Sequence, residues 1–168
     1  MKSKLHDSFY VGALSVLLAV FAASGAKAQE TGHRVCRTIG AFTPEQLGDR
    51  EHHALSITQS SCEETEGLTA GAVENDTAAL EWDGPRATEL SSFGVSRKPG
   101  ATFAFQVLDG QVELTMVDGK PTGFIGTGHG VVTLATGPWS SLKGRTFSWR
   151  SKSTGPSNYE TDYTMNSK

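Results

Sequence analysis

From Leu55 to Met165 the apolar residues recur with a period of two, and glycine-bearing turns interrupt them at short intervals. An amphipathic helix would instead repeat its apolar residues at three and four, so this pattern predicts strands over most of the chain. "ALSITQ" carries Leu55 and Ile57, and "AALEWD" carries Ala78, Leu80 and Trp82 before a turn at Asp83-Gly84-Pro85. Phe147 and Trp149 alternate in "RTFSWRS", and Tyr159, Tyr163 and Met165 in "YETDYTM". Only residues 44–51, within "TPEQLGDRE", read as a short helix: Thr43 would cap it, Pro44 open it and Gly48 stop it. The links are too short for parallel crossovers, so the expected fold is all-β, a single antiparallel β-barrel of about seven to nine strands.

Two stretches allow a register to be written down. In "ATFAFQVLDGQVELTMVDG" a two-residue turn at Asp109-Gly110 sets Val107 opposite Val112, Phe105 opposite Leu114 and Phe103 opposite Met116. All six then share one face, as a half-buried pair requires. If Asp118 to Thr122 form the next loop, Leu114 sits opposite Gly126 and Val112 opposite Gly128. The alternating Gly126, Gly128 and Gly130 then lie on the core face, where bare backbone makes room for large aromatic neighbours. A phosphate loop needs glycines at other spacings and a helix to follow; here Val131 and "VVTLATG" follow instead.

The N-terminus has the order of a secretory signal: Lys2 and Lys4, an uncharged run from Ser8 to Ala26, then Ala26-Lys27-Ala28 as a cleavage site. Residues 1–28 are therefore expected to be a signal peptide, and residues 29–168, starting at Gln29, one domain in the periplasm or secreted. With the signal removed, no stable membrane span is expected. Removing Lys2, Lys4, Lys27 and Asp7 from the 15 basic and 18 acidic residues leaves 12 and 17, a net charge of −5. So acidic a chain, with no basic stripe, lacks the excess of Lys and Arg that displaces counterions from nucleic acid. Cys36 and Cys62 both fall in the exported part, where a disulfide is the default.

Few residues suggest chemistry. His129, between glycines, is the one candidate acid or base, but the register above turns it outward, beside Gln111 and Glu113. His52 and His53, near Asp49, Glu51 and His33, invite a metal, yet adjacent residues on an extended chain point to opposite faces. No metal site is therefore expected. "SSLK", Ser140 to Lys143, matches a penicillin-binding signature but lacks its helical setting and partner motifs. Trp82, Phe103, Phe105, Phe147 and Trp149 are the candidates to line a ligand cavity, with simple core packing as the plainer reading.

The segment "GFIGTGHGVVTLATGPWSSLKGRTFSW" resembles the glycine-rich half of secreted barrels of the allene oxide cyclase and dirigent type. The matching residues are Gly126, Gly128, Gly130, Ala135, Thr136, Gly137 and Gly144. More generally the chain resembles small exported bacterial proteins. The barrel resemblance implies an internal cavity, cofactor-free handling of hydrophobic molecules and assembly into homo-oligomers; no catalytic residue of that family is matched here. The function expected first is a non-catalytic module that binds a small hydrophobic ligand or an envelope partner. The alternatives are a cofactor-free isomerase or cyclase and a structural or inhibitory exported protein. An inward polar group beside the aromatics would favour the enzyme, and a filled apolar interior would favour neither ligand nor catalysis.

Overall fold

In the computed structural model, which describes residues 30–40 and 42–166, nine strands follow one another along the chain. They are β1 (Glu30–Ile39), β2 (Glu45–Gln46), β3 (His53–Gly67), β4 (Val73–Asp83) and β5 (Arg86–Lys98), then β6 (Ala101–Val117), β7 (Lys120–Ala135), β8 (Thr146–Gly155) and β9 (Asn158–Met165). Each consecutive pair from β3 to β9 is antiparallel. β9 then pairs with β1, and β1 with β3, so eight strands close into an up-and-down barrel with no free edge. β2 lies outside this closure, on the part of β3 that β1 leaves uncovered. Residues 1–29, with the expected signal peptide and its cleavage site before Gln29, lie outside the described residues. Among the described residues no helix is long and apolar enough to cross a membrane.

Three local expectations are corrected. The helix over 44–51 does not form: Glu45 and Gln46 pair with Leu55 and Ala54, and Gly48 turns the chain at φ +76°. So short a segment has little to offset helix nucleation, whereas an open stretch of β3 supplies ladder partners directly. The hairpin at Asp109-Gly110 does not form either; β6 runs straight through it. The two-residue turn is at the second Asp-Gly, Asp118-Gly119, both at positive φ as that tight turn requires. At the first, Leu108 is bulged, which switches the inward parity from Phe103, Phe105 and Val107 to Gly110, Val112 and Leu114. A bulge and a two-residue turn place those six on one face equally well. Met116 alone is left exposed. Thirdly, Leu55 and Ile57 point outward; Ser56, Thr58 and Ser60 take the inner face of β3.

The barrel is solid at one end. Phe103, Phe147, Tyr163 and Met165 fill it from the strands, and the 3-10 helix Gly137–Leu142 drives Trp139 and Leu142 in from below. The packing depends on bare backbone, since Phe147 lies over Gly130 and Tyr163 over Gly32. Cys36 and Cys62 face each other across β1 and β3 and are bonded, with both residues buried. They staple the seam that closes the barrel.

Candidate functional site

The other end of the barrel is hollow. A cavity of about 470 Å³ runs from the middle of the barrel to a rim formed by Phe42, Pro121, Thr122, Pro156 and Ser157. Eight strands give an interior just wide enough to be filled or to hold one small ligand, and this barrel does each in one half. Part of the lining is apolar: Leu80, Trp82, Val107, Val112, Leu114 and Trp149. Trp82 is held by its indole N–H, which donates to Ser56 Oγ at 2.8 Å, and Phe42 packs edge-on against its ring at 5.5 Å. Trp149 lies over Gly126 and Gly128, so the glycine stripe is the floor on which this cavity aromatic rests. Its indole N–H is buried without a partner.

Polar residues point inward among these apolar ones: β1 contributes Arg34 and Thr38, β3 Thr58 and Ser60, β4 Asp76, β5 Glu89 and Ser92, β8 Ser151 and Ser153, and β9 Tyr159 and Thr161. A second bulge, at Leu90 on β5 beside the Leu108 bulge of β6, keeps both Glu89 and Ser92 on the inner face. At the base Arg34 is clasped between the Phe105 and Tyr163 rings, 5.7 and 5.9 Å from their centres, and pairs with Glu74; Glu64 stands 4.0 Å away. Glu64 also accepts from the Thr69 hydroxyl at 3.0 Å.

These groups shift one another. Burial by itself would disfavour the Arg34 charge, but Glu74, Glu64 and Asp76 outweigh it and hold the guanidinium charged. Burial pushes the Glu74 carboxyl up, with Arg34 opposing and Glu64 and Asp76 adding to the rise. Asp76 and Glu89, which line the cavity, are also raised, chiefly by burial; Arg34 and then Ser60 oppose the shift at Asp76, and Ser92 opposes it at Glu89. Tyr159, in the same lining, is raised well above the ordinary phenol value by burial and the nearby Asp76.

The five aromatic candidates divide between the two halves. Trp82, Phe105 and Trp149 line the cavity, whereas Phe103 and Phe147 belong to the packed end. His129 stands on the outer surface, its Nδ1 2.8 Å from Asp109 Oδ1. The other described histidines are occupied with carboxylates: His33 meets Asp162 at 2.7 Å, His52 meets Glu51 on the surface, and His53 is held between Asp49 (2.5 Å) and Glu81 (2.7 Å). Among the described residues one set of possible metal donors converges, Cys62 with Glu74 and Asp76, and its sulfur is committed to the disulfide. Sequence reasoning missed Arg34, Asp76, Glu89 and Tyr159, because polar residues on a strand read as solvent-facing when apolar ones alternate with them. The bulge on β5 brings Ala87, Glu89, Ser92, Gly94 and Ser96 onto one inner face, a parity that no regular period in the sequence shows.

The fold and site define a closed antiparallel barrel with one packed and one hollow half. Comparison with protein-family models, curated proteins and solved structures gives no match, so the site is read on its own geometry.

Proposed function

We propose that this is an exported, periplasmic or secreted, ligand-binding barrel that takes one small, largely hydrophobic molecule into its hollow half. The observation that carries the reading is the cavity of about 470 Å³, within the volume range of small-molecule sites, lined by apolar side chains with polar groups among them. A binding cavity costs stability, since those walls forgo the packing that fills the other end of the same barrel. The buried disulfide is compatible with an oxidising compartment, which supports export. The reading also accords with the cavity implied by the resemblance to allene oxide cyclase and dirigent-type barrels. The test is saturable binding of N-phenyl-1-naphthylamine, read by dye fluorescence and by quenching of Trp82 and Trp149. Val112→Trp, which fills the cavity from β6, should abolish binding while leaving the circular dichroism spectrum intact. Unsaturable binding, or binding indifferent to Val112→Trp, would overturn the reading.

One observation favours a second reading, a cofactor-free isomerase. Asp76 and Glu89 line the cavity beside Phe105 and Trp149 with raised proton affinity, the property a general acid needs near neutral pH. His129 plays no part in it, being on the outside. A bound molecule recovered unchanged after long incubation would count against catalysis and leave binding in place.

A further inference from the structure

Among the described residues, the interior of this barrel holds one guanidinium and four carboxyls. Arg34 is balanced by Glu74, its ion-pair partner, and by Glu64 at 4.0 Å, both essentially inaccessible to solvent. Asp76 and Glu89 remain, and both open onto the cavity, whose lining among the described residues includes no basic side chain besides Arg34. Glu74 adds to the excess: its Oε2 is buried with no hydrogen-bond partner, and its carboxylate lies within 4.8 Å of that of Asp76. Each cavity carboxyl also stands against an aromatic ring. Phe105 lies over Gly94 beside the Asp76 Cβ, and Trp149 meets Glu89 over Gly110. A carboxylate beside an aromatic face is the combination that recognises ammonium groups, through charge and through the ring quadrupole.

We propose that the cavity selects amphipathic organic cations, molecules with an apolar body and an amine or ammonium group that reaches Asp76 and Glu89. The proposal rests on the ligand-binding reading and adds the charge of the ligand. A carboxylate-bearing molecule would bring a further acidic group beside Asp76 and Glu89, and a neutral one would offer them no countercharge beyond Arg34. Binding is linked to the protonation of these carboxyls. Burial raises the proton affinity of both; the groups facing Asp76 are Arg34 from β1, Ser60 from β3, Glu74 from β4, Glu89 from β5 and Tyr159 from β9, and those facing Glu89 are Arg34, Asp76, Ser92 of its own strand and Asp109 from β6. An ammonium pairs with the ionised form of these carboxyls, which gains ground as pH rises, so affinity should rise with pH.

The experiment is calorimetric titration of the intact exported protein with decylamine, decanoate and 1-decanol, which share one apolar chain and differ in charge. At about pH 8 decylamine should bind at least about tenfold more tightly than decanol, with decanoate weakest. At about pH 5.5 the preference should shrink. Glu89→Gln, and separately Asp76→Asn, should narrow the ratio of decylamine to decanol affinity toward one. Equal binding of amine and alcohol in the wild type, or a preference for decanoate, would overturn cation selection and leave the cavity reading standing. Failure of all three molecules to bind would overturn the cavity reading, and cation selection with it.

Discussion

At the scale of single residues, the glycine stripe separates backbone from side-chain demands. A Cβ on Gly128 would strike the backbone carbonyl of Asp109 and lie 2.7 Å from the Trp149 ring. One on Gly126 would meet only side chains, 3.1 Å from Trp149 and 3.5 Å from Val112. Backbone in a closed ladder cannot yield, whereas a ring at a cavity edge can. Gly128→Ala is therefore expected to cost about 3 kcal/mol, the upper end of overpacking, and Gly126→Ala less than about 1 kcal/mol. His129→Ala, on the exposed face, should change stability by about 0.5 kcal/mol or less. Denaturant midpoints of the three variants give the order, and equal tolerance at Gly126 and Gly128 would contradict it. The inward face of this stripe was legible in the sequence although its register was two residues out, because a shift of two preserves the face.

At the scale of elements, the seam between β1 and β3 is joined by the excursion through β2 rather than by a tight turn. Cys36 and Cys62, directly opposite in its register and 26 residues apart in sequence, tie the two strands together. Replacing both by alanine should lower unfolding free energy by about 3–4 kcal/mol, on the loop-entropy estimate. Amide exchange should rise along β1 and β3 before it rises along β6 and β7. A loss below about 1 kcal/mol would mean that the ladder alone holds the seam. Fold class, antiparallel order and this disulfide were legible because they follow from period, link length and cysteine count. The cavity's polar lining was not. Leu55, Ile57, Leu90 and Phe93 announce their strands by being apolar, yet all four face outward. The rule that apolar residues point inward fails wherever a barrel keeps its polar side for the interior. Nor could the sequence reveal the bulges at Leu90 and Leu108, which reset the inward parity and keep Glu89 in the cavity.

At the scale of the whole molecule, the buried carboxyls set how stability responds to pH. Glu74 is pushed up to about 8 from an ordinary value of 4.5, first by burial and then by Glu64 and Asp76, against the pull of Arg34. Between those two values the folded state binds more protons than the unfolded chain, so stability falls as pH rises through the interval. Asp76 and Glu89 are raised as well and act in the same direction. His53, raised above 6.5 by its bonds to Asp49 and Glu81, adds stability that is present below 6.5 and lost as pH climbs through its folded value. Asp49 works from the other side: its carboxyl is lowered by the bond to His53, so its contribution is present above 3.8 and lost as pH falls toward its folded value. The thermal midpoint should therefore be highest in mildly acidic solution, near pH 5, and decline steadily toward pH 9. Glu74→Gln keeps the size of the side chain and removes its titration, so it should flatten the decline between about pH 5 and 8, while His53→Gln should flatten only the part above about 6.5. A midpoint that rises from pH 5 to 9, or a decline that Glu74→Gln leaves unchanged, would show that the buried cluster is not held as the barrel interior places it.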